Sequence, residues 1–262
     1  MVTADHGLQR DEEIEIGLPS GDTAPAEVVG RDPSTDLAVL RTSASGLVPP
    51  TWGAEPLRVG YLLLAVTRPG RGPKAGLALI SRLGDGWRTP SGGKLERYVE
   101  LSAELHPGFS GGLLVDSRCQ GHGLLTAGLV RAAPIVIPSA TIKRTVESIL
   151  AHGSVRRGYL GVASLPVRLP APLAKESGQT TALLLTAVED ESPASRAGLI
   201  VGDLLLALDE AAVGQMGDLF PLLEEERIGN LARARVARGG TLREILITIG
   251  VRGEQPEGRS RP

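Results

Sequence analysis

Glycine and proline set the length of every element in the first half of this chain. From Glu13 to about Pro138 the apolar segments are strand-sized, and each is closed by turn residues. Ile14 and Ile16 alternate with acids before the Pro19-Ser20-Gly21-Asp22 turn, and Ala26 to Val29 resumes. Asp36 to Arg41 follows the turn at Asp32-Pro33-Ser34, and Tyr61 to Val66 runs into Arg68-Pro69-Gly70. Gly76 to Ile80, Arg97 to Leu101, Leu113 to Val115, Gly123 to Ala127 and Ile135 to Ile137 continue the pattern. Such segments are shorter than the roughly ten residues at 3.6 period that mark an amphipathic helix. Strands at this spacing without intervening helices predict a barrel or a sandwich. With 34 glycines, 19 prolines and only 3% aromatic residues, the composition suits many short strands better than long helices.

The first convincing helix starts at Ser139, which can cap it. Ile142, Val146, Ile149 and Leu150 make one apolar face, and Gly153 stops it. A helix closing an all-β run marks the end of a domain, so residues 1–153 read as the first domain. The basic, glycine-containing stretch Gly153 to Gly158 is the boundary, and residues 157–252 read as the second domain. That domain opens at Tyr159-Leu160-Gly161-Val162 and passes through a proline-rich loop, Pro166 to Pro172. A strand at Leu183 to Val188 follows, then a helical turn at Ser192 to Ser195, a strand at Leu204 to Leu208 and a helix around Gly217 to Arg227. Two strands then join across Gly239-Gly240. Residues 253–262 lack apolar periodicity and read as a disordered tail.

Charge excludes some partners. The net charge is −2, and its 28 basic and 30 acidic residues are scattered rather than blocked, so nothing points to nucleic acid or an anionic membrane. Tyr61 to Val66 and Ala182 to Val188, the longest apolar runs, are far too short for a transmembrane segment. Cys119 is the single cysteine, so no internal disulfide is expected, and a lone loop thiol reads as passive. The opening MVTADHGL has neither a basic n-region nor an apolar h-region, so no signal peptide is read there. No metal and no cofactor are expected.

The sharpest local signal is Gly108-Phe109-Ser110-Gly111-Gly112. Amide cleavage by a serine needs donors aimed at the carbonyl oxygen as it becomes an oxyanion. Glycines around Ser110 let the N–H groups of Gly108 and Ser110 face one point and let a substrate carbonyl approach without a Cβ clash. A plain glycine-rich turn has the same composition. The pentapeptide also fits the G-x-S-x-G nucleophile elbow, but that fold places its acid and histidine after the serine and alternates strands with long helices. Only His122 and His152 lie well downstream, and the helices are missing. The order His, Asp, Ser works instead. His6 ends Val2-Thr3-Ala4-Asp5-His6, and Asp36 leads the apolar strand Leu37-Ala38-Val39-Leu40. Singly, His6 reads as structural and Asp36 as a solvated turn residue; the three together in order are much harder to obtain by chance.

These segments resemble the HtrA/Deg family of serine proteases. Thr35 to Leu40, preceded by Val28-Val29-Gly30-Arg31-Asp32-Pro33, is similar to the family's acid segment, and Pro107 to Asp116 to its nucleophile segment. Ile135-Val136-Ile137-Pro138 matches the strand before the closing helix. Gly158 to Val162, Ser192-Pro193-Ala194 and Ala197 to Asp203 resemble the family's PDZ domain. The resemblance implies a mainly β chain, a trypsin-like double barrel followed by an α+β PDZ domain. It implies His6 as general base, Asp36 orienting its ring, Ser110 as nucleophile, and Gly108 and Ser110 as the oxyanion hole. It further implies a serine endopeptidase acting on unfolded or misfolded proteins and working in the cell envelope or periplasm. The PDZ loop Tyr159, Leu160, Gly161 and Val162 would take a peptide's C-terminal carboxylate, with Leu219 and Leu223 on the helix side of the groove or facing the domain core. Family trimers use segments ahead of the catalytic histidine, so a homo-oligomer stays open.

Three positions depart from the family pattern. Phe109 replaces the asparagine usual before the serine, Gly7-Leu8 replaces two valines after His6, and only five residues precede His6 where the family has two further strands. The expectation is an unclosed first barrel with His6 on a frayed terminus. A catalytically weak or inactive PDZ peptide-binding protein is the alternative.

Overall fold

The structure, a computed structural model, describes residues 1–70, 72–103, 106–130 and 133–251. It divides into two compact units, Met1–Val155 and Arg156–Pro262. The expected tail, residues 253–262, lies outside the described residues.

The first unit begins with β1 (Val2–Ala4), β2 (Ile14–Gly17), β3 (Thr23–Asp32) and β4 (Leu37–Thr42), antiparallel in the order β1-β4-β3-β2. This sheet stays open. The Pro19–Asp22 turn makes the β2–β3 hairpin, with the Leu18 N–H donating to the Asp22 carbonyl at 2.8 Å. Then come β5 (Leu62–Thr67), β6 (Lys74–Gly84), the short pair β7 (Trp87–Arg88) and β8 (Lys94–Leu95), β9 (Tyr98–Ser102), β10 (Leu113–Val115), β11 (Gly121–Thr126) and β12 (Ile135–Pro138). β10-β11-β12-β9-β6-β5 close into a barrel. Alternation puts Leu63 and Ala65 of β5, and Ala78 and Ile80 of β6, inside it. A separate cluster joins sheet to barrel: Ala4 and Leu37 pack with Leu124, Ile135, Ile137 and Leu95.

α1 (Ser139–His152) covers that junction through Ile142, and its buried Ile149 faces inward as well. Two details differ from the sequence reading. Ser139 is the first helical residue and makes no cap bond, because Pro138 holds the extended N-cap position. Leu150 is 60% exposed and lies off the buried face. The helix stops at Gly153, whose N–H returns to the Ile149 carbonyl at 2.7 Å.

The second unit runs β13 (Gly158–Tyr159), β14 (Val162–Arg168), α2 (Ala171–Ser177), β15 (Thr181–Val188), α3 (Pro193–Arg196), β16 (Leu204–Leu208), β17 (Ala211–Ala212), α4 (Met216–Leu219), β18 (Leu231–Arg238), β19 (Thr241–Thr248) and β20 (Gly250–Val251). Its sheet has the order β14-β15-β16-β18-β19, with β17 on β16. The expected proline-rich loop is instead an edge strand and a helix. Pro166 pairs with Leu183 at the sheet margin, where a missing N–H is tolerated, and Pro172 sits in the first turn of α2, where it is favoured. The helix expected around Gly217 to Arg227 is only the single turn α4, followed by 3-10 turns at Phe220–Leu223 and Glu225–Arg227. Pro221 removes the N–H that a continuing α-helix would need. A buried ion pair ties the sheet's end: Arg238 Nε donates to Asp203 Oδ1 at 2.7 Å.

Candidate active site

Asp36 is placed by the turn that precedes it. Asp32 accepts from the Ser34 hydroxyl and the Thr35 hydroxyl, each at 2.6 Å, and from the Ser34 N–H at 3.2 Å. This buried polar knot accounts for the spacing of Asp32, Ser34 and Thr35: short side chains satisfy a carboxylate that β3 carries into the core. The chain leaves the knot with Asp36 at φ 56, a left-handed conformation that aspartate tolerates better than most residues. The Asp36 carboxylate is thereby aimed inward, at 4% exposure.

His6 follows β1 on a 3-10 turn, Asp5–Gly7. Its N–H donates to Asp36 Oδ1 at 2.9 Å, and Nδ1 stands 2.7 Å from Asp36 Oδ2. A carboxylate only accepts, so Nδ1 carries the hydrogen and the neutral ring keeps its lone pair on Nε2. The terminus is not frayed. Arg31, on β3, donates to the Asp5 carboxylate at 2.7 Å, to the Leu8 carbonyl at 3.2 Å and to Asp11 at 2.6 Å. The hydrogen bond to Asp5 is the chief cause of a raised Arg31 pKa. β1 pairs with β4 in register Val2↔Val39, and the Asp5 N–H donates to the Asp36 carbonyl at 3.1 Å.

Residues Thr126 to Gly128, at the end of β11, join the three expected groups; from sequence the segment Leu124 to Gly128 reads only as a loosely aligned pocket wall, with no role beside the triad residues. The Thr126 hydroxyl donates to Asp36 Oδ2. The Gly128 N–H donates to that hydroxyl at 2.9 Å, and a Cβ at Gly128 would lie 2.6 Å from His6 Nδ1, so only glycine fits against the ring. The Ala127 N–H donates to Ser110 Oγ at 3.2 Å. Among the described residues no hydrogen bond joins Ser110 to His6 directly.

The nucleophile loop is pinned on both sides. The Thr67 hydroxyl donates to the Gly108 carbonyl at 2.7 Å, and the Gly111 and Gly112 N–H groups donate to the Leu125 and Phe109 carbonyls at 2.9 and 3.0 Å. Gly108 stands at φ +91, where a Cβ would meet Pro69 Cβ at 2.6 Å. Among the described residues, the N–H groups of Gly108 and Ser110 have no acceptor. Amides without acceptors beside a serine hydroxyl are the kind of donors that an oxyanion needs.

In the second unit the loop Tyr159 to Val162 is turned by Gly161 at φ +81, where a Cβ would collide with the Ser192 side chain. Its carbonyls are used, Leu160 by the Ala194 N–H and Gly161 by the Glu189 N–H, each at 2.8 Å. The Leu160 and Gly161 N–H groups have no acceptor among the described residues. Tyr159 donates its hydroxyl to Glu189. Leu219, at 2% exposure, belongs to the domain core, and Leu223 packs half-buried against the same cluster. On the helical side Met216, which sequence reasoning did not pick out, faces β14: its sulfur accepts from the Ser164 hydroxyl at 3.0 Å.

Residues 1–124 match the trypsin-like peptidase domain and residues 158–249 match the PDZ domain. The chain is similar to the HtrA/Deg family of serine proteases over both domains. A probable periplasmic serine endoprotease DegP-like of Brucella suis is 29% identical over 259 residues, covering 95% of this chain and 50% of that protein. The corresponding Chlamydia muridarum protein is 28% identical over 256 residues, covering 95% and 51%. The chain thus spans about half the length of these HtrA/Deg relatives. The solved structure of the HtrA-type protease AlgW with a decapeptide matches with a TM-score of 0.73 at 28% identity, covering 97% of this chain and 80% of that one. The serine endoprotease from Yersinia pestis matches with a TM-score of 0.70 at 25% identity, covering 95% and 84%. As the family implies, the chain is mainly β, although its first sheet is open where its second is a closed barrel. No helix among the described residues is long and apolar enough to cross a membrane.

Proposed function

We propose that this chain is a serine endopeptidase that cleaves peptide bonds of unfolded or misfolded proteins in the cell envelope, with its PDZ domain presenting substrate or regulating the protease. One observation carries the reading: a buried Asp36 carboxylate fixes the tautomer of His6, in the same site as a serine flanked by two amides without acceptors. In the reaction His6 Nε2 takes the Ser110 hydroxyl proton as Oγ attacks the carbonyl carbon. The oxyanion is received by the Gly108 and Ser110 N–H groups. His6 then gives its proton to the leaving amine, and the acyl-enzyme is opened by water through the same base. Ser110 Oγ must leave the Ala127 N–H to meet His6, a tightening ordinary for catalytic groups in a ligand-free site.

A PDZ peptide-binding protein without turnover is the second reading, favoured by the absence of a Ser110–His6 hydrogen bond among the described residues. A fluorophosphonate probe separates the two. Labelling that is lost in Ser110→Ala, together with casein cleavage, supports the endopeptidase; no labelling of the parent supports the binder.

The Leu160 and Gly161 N–H groups, without acceptors among the described residues, favour a peptide's C-terminal carboxylate, with the peptide added as a strand along β14. A peptide ending in an apolar residue and a free carboxylate should bind residues 156–252 at least about tenfold more tightly than its amide, since hydrogen bonds to a charged group are the strong ones. Equal affinity would sink this mode of binding. A homo-oligomer is part of the same proposal, and sedimentation at two concentrations tests it.

A further inference from the structure

We propose that Phe109 is a positioning residue, an apolar pin seated in the barrel core opposite Gly76 that holds the Gly108 and Ser110 amides in their oxyanion-binding orientation; the inference rests on the endopeptidase reading. Residue 109 stands between the two amides, so its backbone torsions set the angle between them. Its side chain does not line the site. At 6% exposure it is buried among Leu63, Ala65, Ala78, Ile80 and Leu114 inside the closed barrel. Gly76 of β6 makes the seat: a Cβ there would touch ring atoms Cζ and Cε1 at 3.6 and 3.7 Å, so a methyl fits in contact and a branched side chain would press on the ring.

The backbone on either side is tied from outside. The Phe109 N–H donates to the His106 carbonyl at 3.2 Å, its carbonyl accepts from Gly112, and the Gly108 carbonyl accepts from Thr67. Gly108 has no Cβ to limit its torsions, and Pro107 contributes no N–H. The ring is therefore the inward tie of a loop otherwise held only by hydrogen bonds. An asparagine, the family's residue before the serine, would bring two donors and an acceptor into this cluster of apolar side chains, and each would need a partner. A loop with asparagine there must be held by polar contacts elsewhere; this one is held by close packing.

The test uses the full chain and two substitutions. Phe109→Ala removes the pin, and Gly76→Val presses on it without touching the loop. Order parameters of the Gly108 and Ser110 amides, from nitrogen-15 relaxation, should fall from about 0.85 to below about 0.6 in both variants. Amides of β5 and β6 should stay rigid. Turnover should drop on the order of 100-fold with KM within about twofold, as for loss of an oxyanion donor. If Phe109→Ala does not fold, Gly76→Val carries the same measurement. Loop amides as ordered in the folded variants as in the parent overturn the proposal, as does an active parent whose variants keep its kcat. A parent that never labels at Ser110, yet loses loop order in the variants, defeats the endopeptidase reading and leaves the pin standing.

Discussion

The two β layers of the first unit solve the same problem by opposite means. The barrel closes on itself, has no edge strand, and buries ten apolar side chains including Phe109. The sheet before it stays open, and its own core is Ile16, Leu40 and two alanines, Ala24 and Ala26. What the open sheet lacks in apolar burial it recovers in polar ties: the Asp32 knot, the Arg31 clamp, and the Asp36 carboxylate with its three donors. Ser110 and the amides proposed to receive the oxyanion are carried by the closed barrel, His6 and Asp36 by the open sheet. In the proposed reaction, the groups that face the developing charge are held by packing as well as hydrogen bonds, and the group that moves a proton is held by directional bonds.

Four measurements can break or sharpen that contrast. The largest effect is expected on the barrel side. Ser110→Ala should lower peptide turnover on the order of a millionfold, with the melting temperature unchanged within about two degrees. Casein cleavage near the parent's rate would remove Ser110 from the mechanism. On the sheet side, Asp36→Asn keeps the shape but lets Nδ2 donate to the imidazole, so His6 would hold the wrong tautomer. Turnover should fall about 10⁴-fold while folding is retained. A pH-independent loss under tenfold would contradict the tautomer argument.

Arg31→Ala tests whether directional ties do replace packing. It frees the His6 turn, and a misplaced base costs on the order of 100-fold in kcat. Hydrogen exchange in β10 to β12 should not change; if those amides lose protection too, the clamp is part of the global fold rather than of the open sheet. The smallest effect concerns α1, which covers the junction of the two layers. Burial pushes the Glu96 carboxyl upward, but hydrogen bonds from Thr141 and Arg144 on α1, and the charge of Arg144, outweigh it and hold the pKa below the ordinary 4.5. A depressed carboxyl stabilises the fold above its unfolded value and loses that contribution as pH falls through the folded one. The first unit's melting temperature should therefore decline below about pH 4.5, and Glu96→Gln should flatten that part of the decline. An unaltered slope in Glu96→Gln would mean that the clasp does not hold α1.

Most strands were legible because each is a short apolar run between turn residues, and both the barrel strands and the β18–β19 hairpin lie where the runs do. The elements missed are those where proline sends opposite signals. Pro166 sits within a strand and Pro221 breaks a helix, and only the position of β14 at the sheet edge distinguishes the two cases. His6, Asp36 and Ser110 were singled out from residue type and order, and His6 lies hydrogen-bonded to Asp36. The roles of Thr126 and Gly128 could not be read in this way, since a threonine and a glycine in Leu125-Thr126-Ala127-Gly128 carry no chemical signal until β11 brings Thr126, 90 positions away in sequence, onto Asp36. Arg31 was quoted as part of a motif, but its clamp on the His6 turn depends on the crossing of β3 behind that turn, which no local pattern encodes. The frayed terminus expected for His6 failed for the same reason.

Asp36 stands at φ 56 with its carboxylate buried. Asparagine prefers that conformation at least as well, can keep the acceptor for the His6 N–H, and brings no charge to desolvate. The backbone here accepts asparagine readily, yet Asp36→Asn costs the acceptor that His6 Nδ1 and the Thr126 hydroxyl share and disables the proposed chemistry. A library of variants sorted only by thermal tolerance could let Asp36→Asn pass without showing the loss of turnover, so stability engineering of this chain has to be sorted by turnover at every round.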